Sequence, residues 1–225
     1  DAIFLGYGHK FSLGVVAREA LTQAALPALA KAAAFDASVY DQQGCLSPHL
    51  FFIEEGGKLG PRDFAAALTE AMVAYQQRVP RGRLSTAEAA EIASIRARYE
   101  FRAATDERAR VWSSPGTNDW TVIYLDEPTM TVSCLNRTVY VKPTGDLNRV
   151  LDTIKPHVPK ISTVGFAPTN KFANELSKLG IARVCPIGQM QRPPLTWRHD
   201  GRPNIADLVR RTDKPGEIAG STSDD

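Results

Sequence analysis

Short apolar runs that alternate with amphipathic helical patterns constrain the fold of this chain more than any other feature. The runs are continuously apolar, which is typical of strands buried on both faces of a parallel sheet. Strands are predicted at residues 2–7, 50–54, 120–125, 138–142, 160–166 and 182–186. A chain of this kind is expected to build a layered α/β structure.

Helices are predicted between these runs from their start and stop signals. Pro61 follows a glycine and opens one helix, and Ser85 begins a second with a capping box. A third starts near Asp146, and Thr169 caps a fourth, which Gly180 ends. Strands joined through helices imply crossover connections. We therefore predict a mostly parallel sheet with helices on both faces.

Composition excludes several classes of protein. The 225 residues carry a formal charge of +2, and the 27 basic residues are interspersed with 25 acidic ones, so we expect no nucleic-acid partner. No apolar run approaches the roughly 18–20 residues needed to span a bilayer. The three cysteines lack both the spacing of metal ligands and the density of a disulfide framework. A reducing, cytoplasmic location without a signal peptide is the expectation.

Residues 1–211 are predicted to form one domain, and the polar segment 212–225 a disordered tail. The chain begins at Asp1, without methionine, and enters an apolar run at once. We interpret this as a piece of a longer polypeptide.

The stretch from Asp41 to His49 carries the clearest chemical signal. It joins a helical segment rich in small residues to the strand at 50–54 and places Cys45 after Gly44. A nucleophilic cysteine reacts as the thiolate and needs a partly exposed position. We expect Gly44 to let the backbone turn tightly and Pro48 to stiffen the exit. Cys45 would then face a cleft with its own N–H aimed at a developing oxyanion.

A structural role remains open for Cys45 on these residues alone. A cysteine is a small apolar side chain that packs well beside a turn. Cys134 and Cys185, each in or beside an apolar run, fit that interpretation well.

Gln43-Gly44-Cys45 resembles the Gly-Gln-x-Cys signature around the nucleophile of aldehyde dehydrogenases. The longer string at 41–54 resembles more closely the acyl-CoA reductase family typified by the LuxC fatty-acid reductase. Similar strings begin at Arg137, Gly180 and Trp197, in the order of that family, and the resemblance spans residues 1–211. It implies an aldehyde dehydrogenase-type catalytic domain in which Cys45 accepts the acyl group of acyl-CoA.

The resemblance also has implications for the base and the cofactor. Gly6 lies where aldehyde dehydrogenases have the glutamate that activates water, and a missing base suits a reductase. NADPH is the implied cofactor, held by a nucleotide-binding domain that we expect before Asp1. Gly6 and Gly8 are not read as a dinucleotide fingerprint, because Phe11 stands where that motif needs a third small residue.

Histidine and amide side chains are further candidates near Cys45. His49 could lower the pKa of the thiol or relay a proton, or it could simply face water at a strand edge. His9 is a second candidate to line the cleft. Gln42 and Gln43 could position the loop or bind the substrate.

Three other polar residues are given structural roles. His157 is predicted in a connection and His199 in a turn before a final helix. Glu127 resembles the ribose-binding glutamate of aldehyde dehydrogenases, but its neighbours differ, so we interpret it as a surface carboxylate.

Three functions follow from this sequence. The first is reduction of a fatty acyl-CoA to an aldehyde through an acyl-cysteine, with a homo-oligomer or partner subunit possible. The second is another activity of the superfamily, either aldehyde oxidation or acyl-phosphate reduction. The third is a non-catalytic α/β domain in which Cys45 is structural.

Overall fold

A computed structural model of the protein describes residue 6, residues 8–168 and residues 170–209. The strand predicted at residues 2–7, the cap at Thr169 and the tail at 212–225 lie wholly or mostly outside these residues. None of the helices in this part of the chain is long and apolar enough to cross a membrane.

In the described residues, seven strands form one sheet in the order β3-β4-β5-β2-β1-β6-β7. All neighbouring pairs are parallel except β3 and β4, which are antiparallel at one edge. The strands are β1 (Phe11–Val16), β2 (Pro48–Glu54), β3 (Ala109–Ser113), β4 (Thr121–Leu125), β5 (Thr138–Thr144), β6 (Ile161–Ala167) and β7 (Val184–Pro186).

Five α-helices in the described part of the chain cover both faces of the sheet. They are α1 (Leu26–Ser38), α2 (Pro61–Arg78), α3 (Thr86–Ala103), α4 (Leu147–Ile154) and α5 (Asn170–Leu179). One apolar core lies between the sheet and α1 and α2, and the other lies under α3, α4 and α5. The mostly parallel α/β architecture predicted from the sequence is therefore confirmed.

Two strands were missed by the sequence prediction. The central strand β1 begins at Phe11, directly after the glycine-containing segment, and its six residues include Ser12 and Gly14 as well as apolar side chains. Gly14 is required there, because a Cβ would approach the ring of Phe51 within 2.1 Å. The edge strand β3 has only its first residue buried and contains no continuous apolar run.

Predicted helix boundaries agree well with the structure. The side chain of Ser85 accepts a hydrogen bond from the backbone of Glu88, and Gly180 has a φ of 99°. The helix expected after His199 was wrong for the described residues, where His199–Gly201 and Ala206–Leu208 are single 3-10 turns. The exposed apolar side chains of Ile205 and Leu208 leave this segment without a buried face that a longer helix would need.

Candidate active site

A cleft of about 680 Å³ opens at the amino-terminal edge of strands β5, β2, β1 and β6. It is lined by the residues that precede or begin these four strands. Among them are five of the residues that the sequence analysis singled out: His9, Gln43, Gly44, Cys45 and His49. Residues from two distant segments thus meet in one site.

Cys45 is a free, half-buried cysteine in the loop before β2. Its carbonyl oxygen accepts a 2.7 Å hydrogen bond from the hydroxyl of Ser12, which also accepts one of 3.1 Å from the N–H of Thr163. Ser12 is fully buried, and the register of β1 shifts beside it in the pairing with each neighbouring strand, β2 and β6. No group in the described part of the chain accepts a bond from the backbone N–H of Cys45. That N–H is therefore free for an oxyanion.

The turn before Cys45 is built from left-handed residues other than glycine. Tyr40, Asp41 and Gln42 have φ values of 54°, 52° and 66°. The expectation that Gly44 makes this turn was wrong, since its φ is not positive and a Cβ there would meet the Ser47 hydroxyl at an ordinary 3.7 Å. The chain reverses earlier, at the end of α1. Strained backbone of this kind persists where surrounding contacts hold it.

Gln42 supplies such contacts from a fully buried position. Its Nε2 donates to the carbonyls of Pro48 and Thr138 at 2.8 and 2.9 Å, and its Oε1 accepts from the N–H of Thr138 at 2.9 Å. The amide therefore joins the starts of β2 and β5 on either side of the cysteine loop. Of the roles predicted for Gln42, loop positioning is the one that its contacts support.

A second left-handed turn, Leu135 to Arg137, packs against the first. The buried guanidinium of Arg137 forms a 2.8 Å ion pair with Asp41 and donates to the side chain of Gln76 at 2.6 Å. Breaking a buried ion pair leaves an uncompensated charge and is strongly destabilising. The two turns are thus fixed to each other and to α2.

His49 is buried in β2, and its ring packs edge-on against Phe11. The interpretation of a strand-edge histidine facing water was wrong, because β2 begins at Pro48 and lies in the middle of the sheet. Burial lowers the pKa of His49 to about 4, so the imidazole is uncharged at neutral pH. Its Nδ1 accepts a 3.0 Å bond from the N–H of Ser133, which places the proton on Nε2.

The remaining lining of the cleft is cationic and apolar. His9 and Lys160 are exposed at its rim, and Lys10 forms a 3.3 Å ion pair with Asp200. Gln43 donates to the side chain of Asn136 at 3.2 Å. No carboxylate lines the cleft among the described residues. Gly6, the expected counterpart of the hydrolytic glutamate, is exposed and brings no side chain.

Gln191 is a neighbour of the loop that the sequence analysis missed. Its Nε2 donates to the hydroxyl of Ser47 at 2.7 Å and to the carbonyl of Asp36 at 3.0 Å. The Asp36 carboxylate accepts from the N–H groups of Gly188 and Met190, and burial raises its pKa to about 6. The residues after β7 therefore brace the cysteine loop, a contact for which spacing along the chain gives no signal.

Other polar residues lie away from the cleft. His157 lies in a 3-10 turn before β6, as predicted, and Glu127 is a half-exposed carboxylate paired with Arg102. Burial raises the pKa of the Cys134 thiol and raises that of Cys185 to about 11. Both thiols are therefore poor nucleophiles at neutral pH.

The sequence matches the family described as acyl-CoA reductase (LuxC) over residues 1–211. This match covers nearly the whole chain. The chain belongs to the acyl-CoA reductase (LuxC) family. No curated protein matches it by sequence.

Solved aldehyde dehydrogenases share the fold of this family member. The NAD-dependent aldehyde dehydrogenase of Burkholderia multivorans has 15% identity and a TM-score of 0.57, with 81% of this chain and 36% of that one aligned. The indole-3-acetaldehyde dehydrogenase AldA of P. syringae has 12% identity and a TM-score of 0.58, with 79% and 38% aligned. The fold is therefore that of the aldehyde dehydrogenase catalytic domain, and this acyl-CoA reductase sequence spans little more than a third of those structures.

Proposed function

We propose that this protein reduces a fatty acyl-CoA to the aldehyde through an acyl-cysteine at Cys45, with NADPH as the reductant. One observation carries the proposal. The cleft presents Cys45 with a free backbone N–H and a neutral histidine, and no carboxylate lines it among the described residues. Such a site favours acyl transfer to the cysteine, and its described lining offers no carboxylate base to activate water.

In the acylation step, the Cys45 thiolate attacks the carbonyl carbon of the thioester. A bond forms between Sγ and that carbon, the bond from the carbon to the CoA sulfur breaks, and the CoA thiolate takes a proton from solvent. Negative charge develops on the carbonyl oxygen. The free N–H of Cys45 can donate to it, which is the type of electrostatic stabilisation that contributes most in acyl transfer.

His49 is suited to donate a second hydrogen bond to the same carbonyl oxygen. An imidazole with a pKa of about 4 is uncharged at neutral pH and supplies no positive charge to lower the pKa of the Cys45 thiol, so of the two predicted roles only the proton relay remains. Its Nε2 carries a proton because Nδ1 is occupied by the Ser133 N–H. A neutral histidine of this kind polarises a carbonyl without giving up its proton.

The described residues do not fit the nicotinamide dinucleotide itself. Its diphosphate would need free backbone N–H groups at a helix start, and the helices that follow strands begin at the carboxyl edge, opposite Cys45. At the amino edge, the first turn of α3 is capped by Ser85 and Glu88. When bound, the cofactor supplies a hydride. We propose that residues outside the described part hold it against the open side of the cleft.

Aldehyde oxidation is the competing activity, because the solved structures with this fold include NAD-dependent aldehyde dehydrogenases. The experiment is to supply the natural protein with fatty acyl-CoA and NADPH, or with aldehyde and NADP⁺, with and without CoA. We expect aldehyde from the first pair. From the second pair we expect acyl-CoA and NADPH, and only when CoA is present. CoA-independent conversion of aldehyde to acid would contradict the proposal. Acyl-phosphate as the better substrate would move the protein to a different activity of the superfamily.

A further inference from the structure

A second depression, of about 370 Å³, lies beside α1 and outside the Cys45 cleft. Three exposed cationic side chains line it: Lys31, Arg78 and Arg192. The other lining residues are apolar, glycine or amide: Ala28, Ala32, Phe35, Ile187, Gly188 and Gln189. Among the described residues this cationic depression contains no carboxylate, although acidic and basic residues are nearly equal in number in the chain.

The three cations have no ion-pair partner in the part of the chain that the structure describes. The guanidinium of Arg192 stacks on Phe35 at 4.5 Å, and that of Arg78 on Tyr75 at 5.5 Å. Stacking orients the planar group and leaves its N–H donors at the edge, which suits bidentate binding of a phosphate. The depression therefore presents three cations that no carboxylate in its described lining neutralises.

One end of the cationic depression, at Arg78 and Arg192, approaches the edge of the sheet where Cys45 lies, whereas residues 187–189 follow the carboxyl end of β7. Both α1 and α2 follow a strand and run back, so that their C-terminal ends return to the amino edge. Arg192 directly follows Gln191, whose Nε2 bonds the Ser47 hydroxyl in the cysteine loop at 2.7 Å. A Cβ on Gly44, which lines the cleft, would be 3.9 Å from the Oε1 of Gln191. Gln191 therefore stands between the depression and the cleft.

We propose that the cationic depression binds the phosphate-bearing nucleotide end of the CoA thioester whose acyl carbon reacts at Cys45. This rests on the proposed function. CoA carries its phosphates at the far end of a flexible pantetheine arm. In the described lining of the Cys45 cleft, the only lysine or arginine without an ion-pair partner that could bind them is Lys160, at the rim. Opposite charges of this kind raise both affinity and the rate of encounter.

The test compares two thioesters with the same acyl chain, acyl-CoA and acyl-pantetheine, which lacks the phosphates. In the natural protein, Arg192→Glu and Lys31→Glu should raise the acyl-CoA concentration that gives half-maximal acylation of Cys45 about fivefold or more. The concentration for acyl-pantetheine should not change. Arg110→Glu is the matched control, because Arg110 is also exposed and stacked, on Trp112 at 4.9 Å, but lies on the edge strand β3.

Equal effects on both thioesters, or none on either, would overturn the proposal. A raised KM for NADPH with unchanged acyl-CoA dependence would also overturn it, since the phosphates bound would be those of the dinucleotide. If neither thioester acylates Cys45, the proposed function fails. Calorimetry with adenosine 3′,5′-bisphosphate then tests whether the depression binds the nucleotide end of CoA. Loss of binding in Arg192→Glu together with unchanged binding in Arg110→Glu would support the proposed phosphate site. Binding by both variants, or by neither, would exclude that site.

Discussion

The side-chain amide of Gln42 and the backbone of Thr138 exchange two hydrogen bonds, each 2.9 Å long. Gln42 thus takes the place of a strand residue beside β5, three positions before Cys45. The same amide bonds the first residue of β2. The cysteine loop is therefore anchored by one side chain to β2 and β5.

Replacement of Gln42 by alanine should destabilise the protein more than replacement of Gln43. The first change leaves the buried N–H of Thr138 and two carbonyls unpaired, and each such group costs about 1–3 kcal/mol. The second removes one partly buried bond of 3.2 Å to Asn136. Urea unfolding of the two variants measures the difference. Equal losses would show that the Gln42 amide does not anchor the loop.

Ser12→Ala should slow acylation of Cys45, because the hydroxyl of Ser12 fixes the cysteine carbonyl at 2.7 Å. Small displacements of a reacting group lower its rate far more than its affinity. Ser162→Ala is the matched control, since Ser162 is equally buried and its hydroxyl has no partner among the described residues. We expect a lower kcat with little change in KM for the first variant and no change for the second. A rate unaffected by Ser12→Ala would exclude the positioning role.

His49 and Asp36 should have opposite effects on stability between about pH 4 and 6. The folded pKa of His49 lies near 4, below its ordinary 6.5, so its contribution is present above pH 6.5 and is lost as the pH falls towards 4. The folded pKa of Asp36 lies near 6, above its ordinary 3.8, so its contribution is present below pH 3.8 and is lost as the pH rises through 6. Each group changes the free energy of unfolding by about 3 kcal/mol at most across its range, so the two pH dependences largely cancel.

Single variants should reveal each contribution in unfolding measurements at pH 4.5, 5.5 and 6.5. His49→Gln leaves Asp36 uncompensated, so its stability should fall as the pH rises. Asp36→Asn leaves His49 uncompensated, so its stability should fall as the pH is lowered. Parallel pH profiles for the two variants would mean that neither group titrates as its burial indicates.

The acyl-enzyme should persist in water when NADPH is withheld, because no carboxylate lines the cleft among the described residues. A positioned general base speeds such attack by about 10²- to 10⁴-fold. Gly6→Glu should restore part of that rate, and release of labelled fatty acid measures it. Gly44→Glu cannot replace Gly6→Glu in this experiment, because it would disturb the cysteine loop itself. Rapid hydrolysis by the unmodified protein would contradict this prediction and would point to His49 or His9 as a base.

The sequence predicted the layers of the fold and the loop of Cys45 for physical reasons that are local. Continuous apolar runs and capping residues such as Ser85 act within a few positions of themselves. β1 was missed because Ser12 and Gly14 interrupt its apolar pattern, although both are explained by contacts with other strands.

The long-range hydrogen bonds that hold the cysteine loop could not be predicted in the same way. Gln42 meets Thr138, and Asp36 meets Gly188, across 96 and 152 positions of the chain. Such pairs depend on how the strands are ordered in the sheet, and no periodicity in one segment encodes that order. The left-handed turn at Tyr40 is a further case, because its residue types carry no glycine signal.

The central claim is that Cys45 is the residue acylated by acyl-CoA. The most direct measurement is incubation of the natural protein with labelled fatty acyl-CoA without NADPH, followed by peptide mapping of the label. We expect the label on the peptide that contains Cys45, none with Cys45→Ala, and undiminished labelling with Cys185→Ala, whose thiol has a pKa of about 11. Label on Cys134 or Cys185, or labelling that survives Cys45→Ala, would contradict the account.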